Sequence, residues 1–146
     1  MKKVQFVCIG NCCRSQMAEG FARLYGKDVM IASSAGLAPT PMVVRETIEC
    51  MRENGVDLTE HFPKRFEPEK TGDLDLIVNM SGYDLPGPVL APVRNWVVRD
   101  PIGLSEQVYR ESRDHIERLV MQLILQLRRE TREPKEPQPK QPVKSR

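Results

Sequence analysis

The chain has 146 residues with 22 basic and 20 acidic side chains, and it is long enough for one domain with a substantial core. Residues 131–146 hold five basic and two acidic residues, so the remainder carries a net charge of −1, which excludes nucleic acid as a general partner. No apolar run approaches the ~20 residues of a membrane span, and three of the four cysteines crowd into residues 8–13, unlike a secreted disulfide framework, so we expect a cytoplasmic protein.

The first predicted elements are a buried strand, a short loop and a helix. Residues 2–9 are rich in Val, Ile and Phe, which is typical of a buried strand. Ser15 is a candidate N-cap, and apolar residues follow it at helical spacing: Met17, Ala18, Phe21, Leu24 and Tyr25. Between the two elements, Gly10 permits close backbone approach and Asn11 tolerates left-handed dihedral angles.

This loop has the residue types of an anion site. If residues 9–13 curl, their N–H groups form an anion-binding nest, to which the N-terminus of the following helix adds positive potential. The planar fork of Arg14 suits a tetrahedral oxyanion, and Cys8 would lie beneath that anion as a stabilised thiolate. The spacing predicts a thiolate nucleophile directed at an oxyanion, which is bound by Ile9, Gly10, Asn11, Cys12, Cys13, Arg14 and Ser15.

The rest of the chain alternates strand and helix patterns. Three further apolar runs predict strands: residues 29–33, 74–80 and 93–98. Thr40 followed by Pro41 predicts a helix over residues 40–54, and residues 105–129 predict a long C-terminal helix. We therefore predict an α/β fold, a three-layer sandwich with a four-stranded parallel sheet flanked by helices. Ligands of such sheets bind beyond the carboxyl ends of the strands.

Asp100 is the candidate proton donor. It precedes Pro101 just after the fourth predicted strand, so it lies at the same edge of the sheet as Cys8. An Asp-Pro pair is commonly only a turn. A leaving oxygen needs a proton, however, and a carboxyl group opposite the nucleophile supplies it. Glu19 and Asp84 remain as alternative acids.

The sequence resembles a known family. The segment VCIGNCCRSQMAEG, then Ser33-Ser34-Ala35-Gly36, and later Asp100-Pro101, are similar to the low-molecular-weight protein tyrosine phosphatase superfamily, which includes an arsenate reductase branch. The resemblance covers residues 2–127 and implies a phosphatase-type P-loop after strand 1. It also implies Cys8 as nucleophile, Arg14 as oxyanion clamp and Asp100 as general acid. Four residues would support the loop: Asn11, Ser15, Ser34 and His61.

The other three cysteines are not candidate nucleophiles. The resemblance implies that Cys13 can form a reversible disulfide with Cys8, although a small buried side chain behind the loop is an equal alternative. Cys12 has no assigned role, and Cys50 is expected in the core. Zinc is disfavoured, because paired Cys-x2-Cys elements and a fourth ligand are lacking. We therefore expect no metal and no cofactor.

The activity depends on the branch of the superfamily. QMAEG and the Trp96-to-Gly103 segment resemble arsenate reductases, and the aromatic walls usual in tyrosine phosphatases are missing at residues 37–40 and 102–104. Thioredoxin-coupled reductases, however, need two cysteines after strand three, and residues 81–92 contain none. We therefore predict a cysteine-dependent phosphatase acting on phosphomonoesters through a thiophosphate on Cys8. The alternative is an arsenate reductase served by a glutathione-like thiol or glutaredoxin, and the third is a non-catalytic phosphate-binding module.

The predicted domain organisation is simple. Residues 1–129 are expected to form one low-molecular-weight phosphatase-like catalytic domain. Residues 130–146 are rich in Pro and Lys and nearly free of apolar side chains, which is typical of a disordered tail.

Overall fold

The computed structural model describes residues 1–132. The elements follow in this order: β1 Lys2–Cys8, α1 Arg14–Tyr25, β2 Met30–Gly36, α2 Arg45–Glu53, a 3₁₀ helix Pro68–Asp73, β3 Leu76–Asn79, β4 Val93–Asn95 and α3 Glu106–Arg132. Among these residues, no helix combines the length and apolar character that crossing a membrane requires. Residues 133–146, and with them most of the predicted tail, lie outside the described part of the chain.

The four strands form one parallel sheet in the order β2-β1-β3-β4. In the register of this sheet, Cys8 is opposite Gly36 of β2, while Val7 is opposite Asn79 of β3. The carboxyl ends of the strands therefore meet at one edge, where the loop after β1 begins. The predicted α/β fold with a four-stranded parallel sheet is confirmed.

The two faces of the sheet are covered differently. On one face, β1 side chains such as Val4 and Phe6 pack in a core shared with all three α-helices. On the other face, Val7, Ala35 and Ile77 pack with Phe66 and with partly buried apolar residues near the 3₁₀ helix and in the loop after β3. On this second face the covering layer consists of the 3₁₀ helix and loops. Their apolar side chains are enough to bury the face of the sheet without a long α-helix.

Two helix boundaries differ from the predictions. The helix predicted from Thr40 begins only at Arg45, because the Thr40 hydroxyl donates to the carbonyl of Met42 at 3.1 Å and residues 37–44 run beside the loop after β1. The C-terminal helix continues to Arg132, three residues into the segment predicted as tail from residue 130. Within this last turn the Thr131 hydroxyl donates to the carbonyl of Leu127 at 2.9 Å.

Candidate active site

The loop after β1, residues 9–13, is held from outside through its carbonyl groups. Four amides of the segment 37–44 donate to carbonyls at 2.8–3.2 Å: Leu37 to Cys8, Ala38 to Ile9, Thr40 to Gly10 and Val44 to Cys12. Among the backbone hydrogen bonds of residues 1–132, no amide of residues 9–13 acts as a donor. A trans peptide points its C=O and N–H in opposite directions, so outward carbonyls turn the N–H groups inward, as an anion nest requires.

Asn11 and Ser15 connect this loop to Cys8. Asn11 has a φ of 50°, the left-handed conformation that its side chain tolerates. Its Nδ2 donates to Ser15 Oγ at 2.7 Å, and Ser15 Oγ lies 2.9 Å from Cys8 Sγ. Because Asn11 fills an acceptor position of the hydroxyl, the Ser15 proton is free to point at the Cys8 sulfur and stabilise a thiolate. Ser15 is therefore not the helix cap predicted from the sequence, since α1 already begins at Arg14.

Arg14 joins the loop to the ends of two other strands. Its buried guanidinium donates through Nη1 to the carbonyls of Met80 at 2.6 Å and Val98 at 3.1 Å. Its Nη2 lies 3.5 Å from the Asp100 carboxylate, whose other oxygen accepts from the amide of Ile102 at 3.1 Å. The structure thus brings Arg14 and the half-exposed Asp100 side chain together at the carboxyl edge of the sheet, the edge where Cys8 ends β1.

Two residues predicted to support the loop make other contacts. Ser34 donates to Glu19, which also pairs with Arg23 at 2.7 Å, and within residues 1–132 the Ser34 side chain makes no hydrogen bond to the loop. The His61 ring reaches the loop only indirectly, because its Nδ1 bonds to Gln16 Oε1 at 3.0 Å. Gln16 is fully buried, and it was not predicted from the sequence as a residue of the site. Its only sequence signal is a polar side chain at the start of an apolar helix.

The alternative acids lie elsewhere. Glu19 is a buried residue of α1, where its carboxylate is paired with Ser34 and Arg23. Asp84 is exposed and lines a cavity of about 270 Å³ that Arg14 borders from one side. Of the three acids, Asp100 is the one whose carboxylate lies near the guanidinium of Arg14.

All four thiols in the described chain are free and buried. Burial raises the pKa of the Cys13 thiol well above its ordinary value, and Cys13 lies in the core beside Thr47. Burial also raises the pKa of Cys50, to about 11. The pKa of Cys12 is raised by burial too, with the Thr40 hydroxyl acting against that shift. Thiols of this kind are weak nucleophiles at neutral pH.

Comparison with known proteins identifies the family. The family model for low molecular weight phosphotyrosine protein phosphatases matches residues 3–85. A glutaredoxin arsenate reductase of Synechocystis sp. is 34% identical over 131 residues, which cover 87% of this chain and 99% of that protein. A putative arsenate reductase of Halobacterium salinarum is 34% identical over 128 residues, covering 83% of this chain and 89% of that protein.

Comparison with solved structures points to the same family. A solved structure of an arsenate reductase in the phosphate binding state superposes with a TM-score of 0.79 at 34% identity, covering 87% of this chain and 99% of that one. The resemblance predicted from the P-loop segment is thereby confirmed. The relatives compared above carry the name arsenate reductase, and the chain belongs to the low molecular weight phosphotyrosine protein phosphatase family.

Proposed function

We propose that this protein is an arsenate reductase that uses Cys8 as its nucleophile and an external thiol as its reductant. The observation that carries the proposal is the 34% identity to a glutaredoxin arsenate reductase over 99% of that protein's length. The loops beside the site support it, because residues 37–40 and 102–104 contain no aromatic side chain to hold a phenyl ring. A small oxyanion needs no such wall.

The first step is attack by Cys8. Arsenate enters the nest of residues 9–13, and the Arg14 guanidinium balances its charge. The Cys8 thiolate forms a bond to arsenic while one arsenic–oxygen bond breaks. Asp100 donates its proton to the departing oxygen, which leaves as water. Arsenic remains As(V) in this step.

The second step is the reduction. An external thiol attacks the Cys8 sulfur, a disulfide forms between the two sulfurs, and the electron pair of the broken sulfur–arsenic bond leaves with arsenic as As(III). A further thiol then reduces the mixed disulfide and frees Cys8. Because residues 81–92 contain no cysteine to receive this disulfide, the thiol must come from a glutathione-like molecule or a glutaredoxin.

Phosphomonoester hydrolysis is the second candidate function. Cys8, Arg14 and Asp100 are the groups that hydrolysis through a thiophosphate needs, and no thiol cosubstrate enters that reaction. The sequence alone favours this activity, whereas the relatives favour arsenate reduction. A non-catalytic phosphate-binding module stays third, because a nucleophile, an arginine and an acid are all present.

A side-by-side assay tests the proposal. The wild-type chain is given arsenate with glutathione and glutaredoxin, arsenate with thioredoxin, and an aryl phosphate without thiol. We expect rapid arsenite formation with the glutathione system, little with thioredoxin, and slow aryl phosphate hydrolysis. Cys8→Ser removes the nucleophile and is expected to lose all turnover, while Cys50→Ala, at a core thiol on α2, serves as the matched control.

Each other outcome has a definite meaning. Aryl phosphate hydrolysis without arsenite formation would establish the phosphatase instead. Rapid reduction with thioredoxin would mean that Cys12, Cys13 or Cys50 carries the disulfide outward. Turnover that survives Cys8→Ser would overturn both catalytic proposals.

A further inference from the structure

Gln16 lies behind the oxyanion loop, and both the nitrogen and the oxygen of its side-chain amide are hydrogen-bonded. It is fully buried in the first turn of α1. Its Nε2 lies 3.1 Å from the Asn11 carbonyl oxygen, 3.2 Å from Asn11 Oδ1 and 3.1 Å from the Phe62 carbonyl oxygen. Its Oε1 lies 3.0 Å from Nδ1 of His61. A buried amide with this many partners is held in one orientation.

The partners fix which amide atom faces which side. The three oxygens around Nε2 are all acceptors. Two are backbone carbonyl oxygens, and the third, Asn11 Oδ1, is identified as the amide oxygen because it accepts from the Lys64 amide at 2.9 Å. The donor end of Gln16 therefore faces Asn11, and its oxygen faces His61. His61 must then carry a proton on Nδ1. Burial lowers the pKa of His61, so the neutral ring with its hydrogen on Nδ1 meets this requirement.

The Asn11 carbonyl completes a series. The carbonyls of Cys8, Ile9, Gly10 and Cys12 accept from backbone amides of residues 37–44. The Asn11 carbonyl is the remaining member of this run of five, and its partner is the Gln16 side chain. In the trans peptide between Asn11 and Cys12, a carbonyl held outward keeps the Cys12 N–H directed inward. Asn11 is also the loop residue with a positive φ, a conformation that needs outside support.

We propose that Gln16 is a positioning residue of the oxyanion loop, which holds the Asn11–Cys12 peptide so that its N–H donates to the bound oxyanion. The inference rests on the proposed oxyanion chemistry of this loop, but not on whether arsenate or a phosphate ester reacts there. Gln16 touches no substrate, since it acts through Asn11 from the side of the loop that faces away from the nest.

Inorganic phosphate is the probe for the first test. Gln16→Met keeps the length of the side chain but removes the donor, so we expect the dissociation constant of phosphate to rise about tenfold, as for a lost hydrogen bond to a charged group. The KM for arsenate should rise with it. The matched control is Gln5→Met on β1, where Nε2 bonds only to Ser33 Oγ at 3.4 Å, and its phosphate affinity should be unchanged.

A pH profile separates positioning from mere stability. In Gln16→Glu, a carboxylate would face the Asn11 and Phe62 carbonyl oxygens and be repelled. Once protonated, its O–H can donate to the Asn11 carbonyl. We therefore expect the phosphate affinity of this variant, relative to wild type at the same pH, to recover as the pH falls, whereas the ratio for Gln16→Met stays flat. A lowered melting temperature alone would not produce this profile.

A milder variant keeps the test decisive if Gln16 variants unfold. His61→Phe removes the donor to Gln16 Oε1 and leaves the loop donor in place, so phosphate affinity should fall about threefold, less than in Gln16→Met. If all of these variants bound phosphate as tightly as wild type, or if Gln5→Met lost as much affinity as Gln16→Met, the role of Gln16 would be overturned. The proposed function would not be affected by that result. A wild-type chain that binds neither phosphate nor arsenate would overturn the proposed function together with it.

Discussion

Asp100 is the residue whose chemical role is most open to a direct test. Its carboxylate lies 3.5 Å from Arg14 Nη2 and is also held by the amide of Ile102. Because it would donate the proton to the departing oxygen, we expect Asp100→Asn to lower the rate of arsenate reduction by about 10²–10⁴. Phosphate affinity should stay unchanged or increase, since a negative charge beside the oxyanion is removed. Steady-state kinetics and calorimetric titration with phosphate measure the two effects.

Asp84→Asn is the control for this substitution. Asp84 is an exposed carboxylate in the cavity that borders Arg14, and it was an alternative acid in the sequence analysis. Its replacement should leave the rate within a factor of two or so of wild type, as is usual for exposed positions. A full rate in Asp100→Asn, or an equal loss in both variants, would reduce Asp100 to the structural turn that its Asp-Pro pair also allows.

The sequence predicted some site residues better than others, for a physical reason. Cys8 and Arg14 share one short loop, and Asp100 follows a strand, so local spacing and parallel topology were enough to bring them to one edge. Ser34 and Gln16 depend on which distant groups face them after packing. Gln16 reaches the Phe62 carbonyl 46 residues away, and no periodic pattern carries that information.

At the scale of elements, the segment 37–44 explains the main error in the fold prediction. Thr40 and Pro41 have the local chemistry of a helix start, yet Leu37, Ala38 and Thr40 donate their amides to the loop after β1. A helix that began at Thr40 would direct the Val44 amide to the Thr40 carbonyl, along the helix axis, whereas in the structure this amide donates to the Cys12 carbonyl. Tertiary hydrogen bonds therefore override a local capping signal, and α2 begins only after Val44 has made the last of these bonds.

The end of β2 must come very close to the same loop, and this predicts a sensitive glycine. A Cβ added at Gly36 would lie 2.7 Å from the Ile9 carbonyl oxygen and 2.8 Å from the Asn11 amide nitrogen. Both are backbone atoms and cannot rotate away, so we expect Gly36→Ala to lower the free energy of unfolding by about 1–3 kcal/mol. We also expect weaker phosphate binding, because the displaced atoms belong to the nest. Urea unfolding and phosphate titration measure these changes.

Gly72→Ala is the matched control for Gly36→Ala. A Cβ at Gly72 would meet only Leu90 Cδ1, at 3.6 Å, which is ordinary van der Waals contact. Its free energy of unfolding should remain within about 0.5 kcal/mol of wild type. If the two variants were equally stable and bound phosphate equally well, the close approach of β2 to the loop would have no energetic consequence.

At the scale of the whole molecule, three of the four thiols in the described chain lie in one buried core cluster but in different surroundings. Cys8 and Cys13 lie in the same core cluster as Cys50, on the helical side of the sheet. The Cys8 sulfur faces the hydroxyl of Ser15, whereas burial raises the pKa of Cys13 well above its ordinary value. With Cys8 as the proposed nucleophile, we expect oxidation to begin at its sulfur rather than at the thiols whose pKa is raised by burial.

Mild peroxide therefore tests the redox role predicted for Cys13. We expect peroxide to oxidise the Cys8 thiolate to a sulfenic acid, from which the Cys13 thiolate displaces hydroxide to form a disulfide. Burial raises the pKa of Cys13, so only a small fraction of this thiol is ionised at neutral pH. Since the thiolate is the attacking form, we expect disulfide formation to accelerate as the pH rises. Mass spectrometry identifies the bond, and dithiothreitol should restore activity. Cys13→Ser should make the loss less reversible, because the unprotected sulfenic acid can oxidise further, while Cys50→Ala should not. A bond from Cys8 to Cys12 or Cys50 would assign the resolving thiol elsewhere.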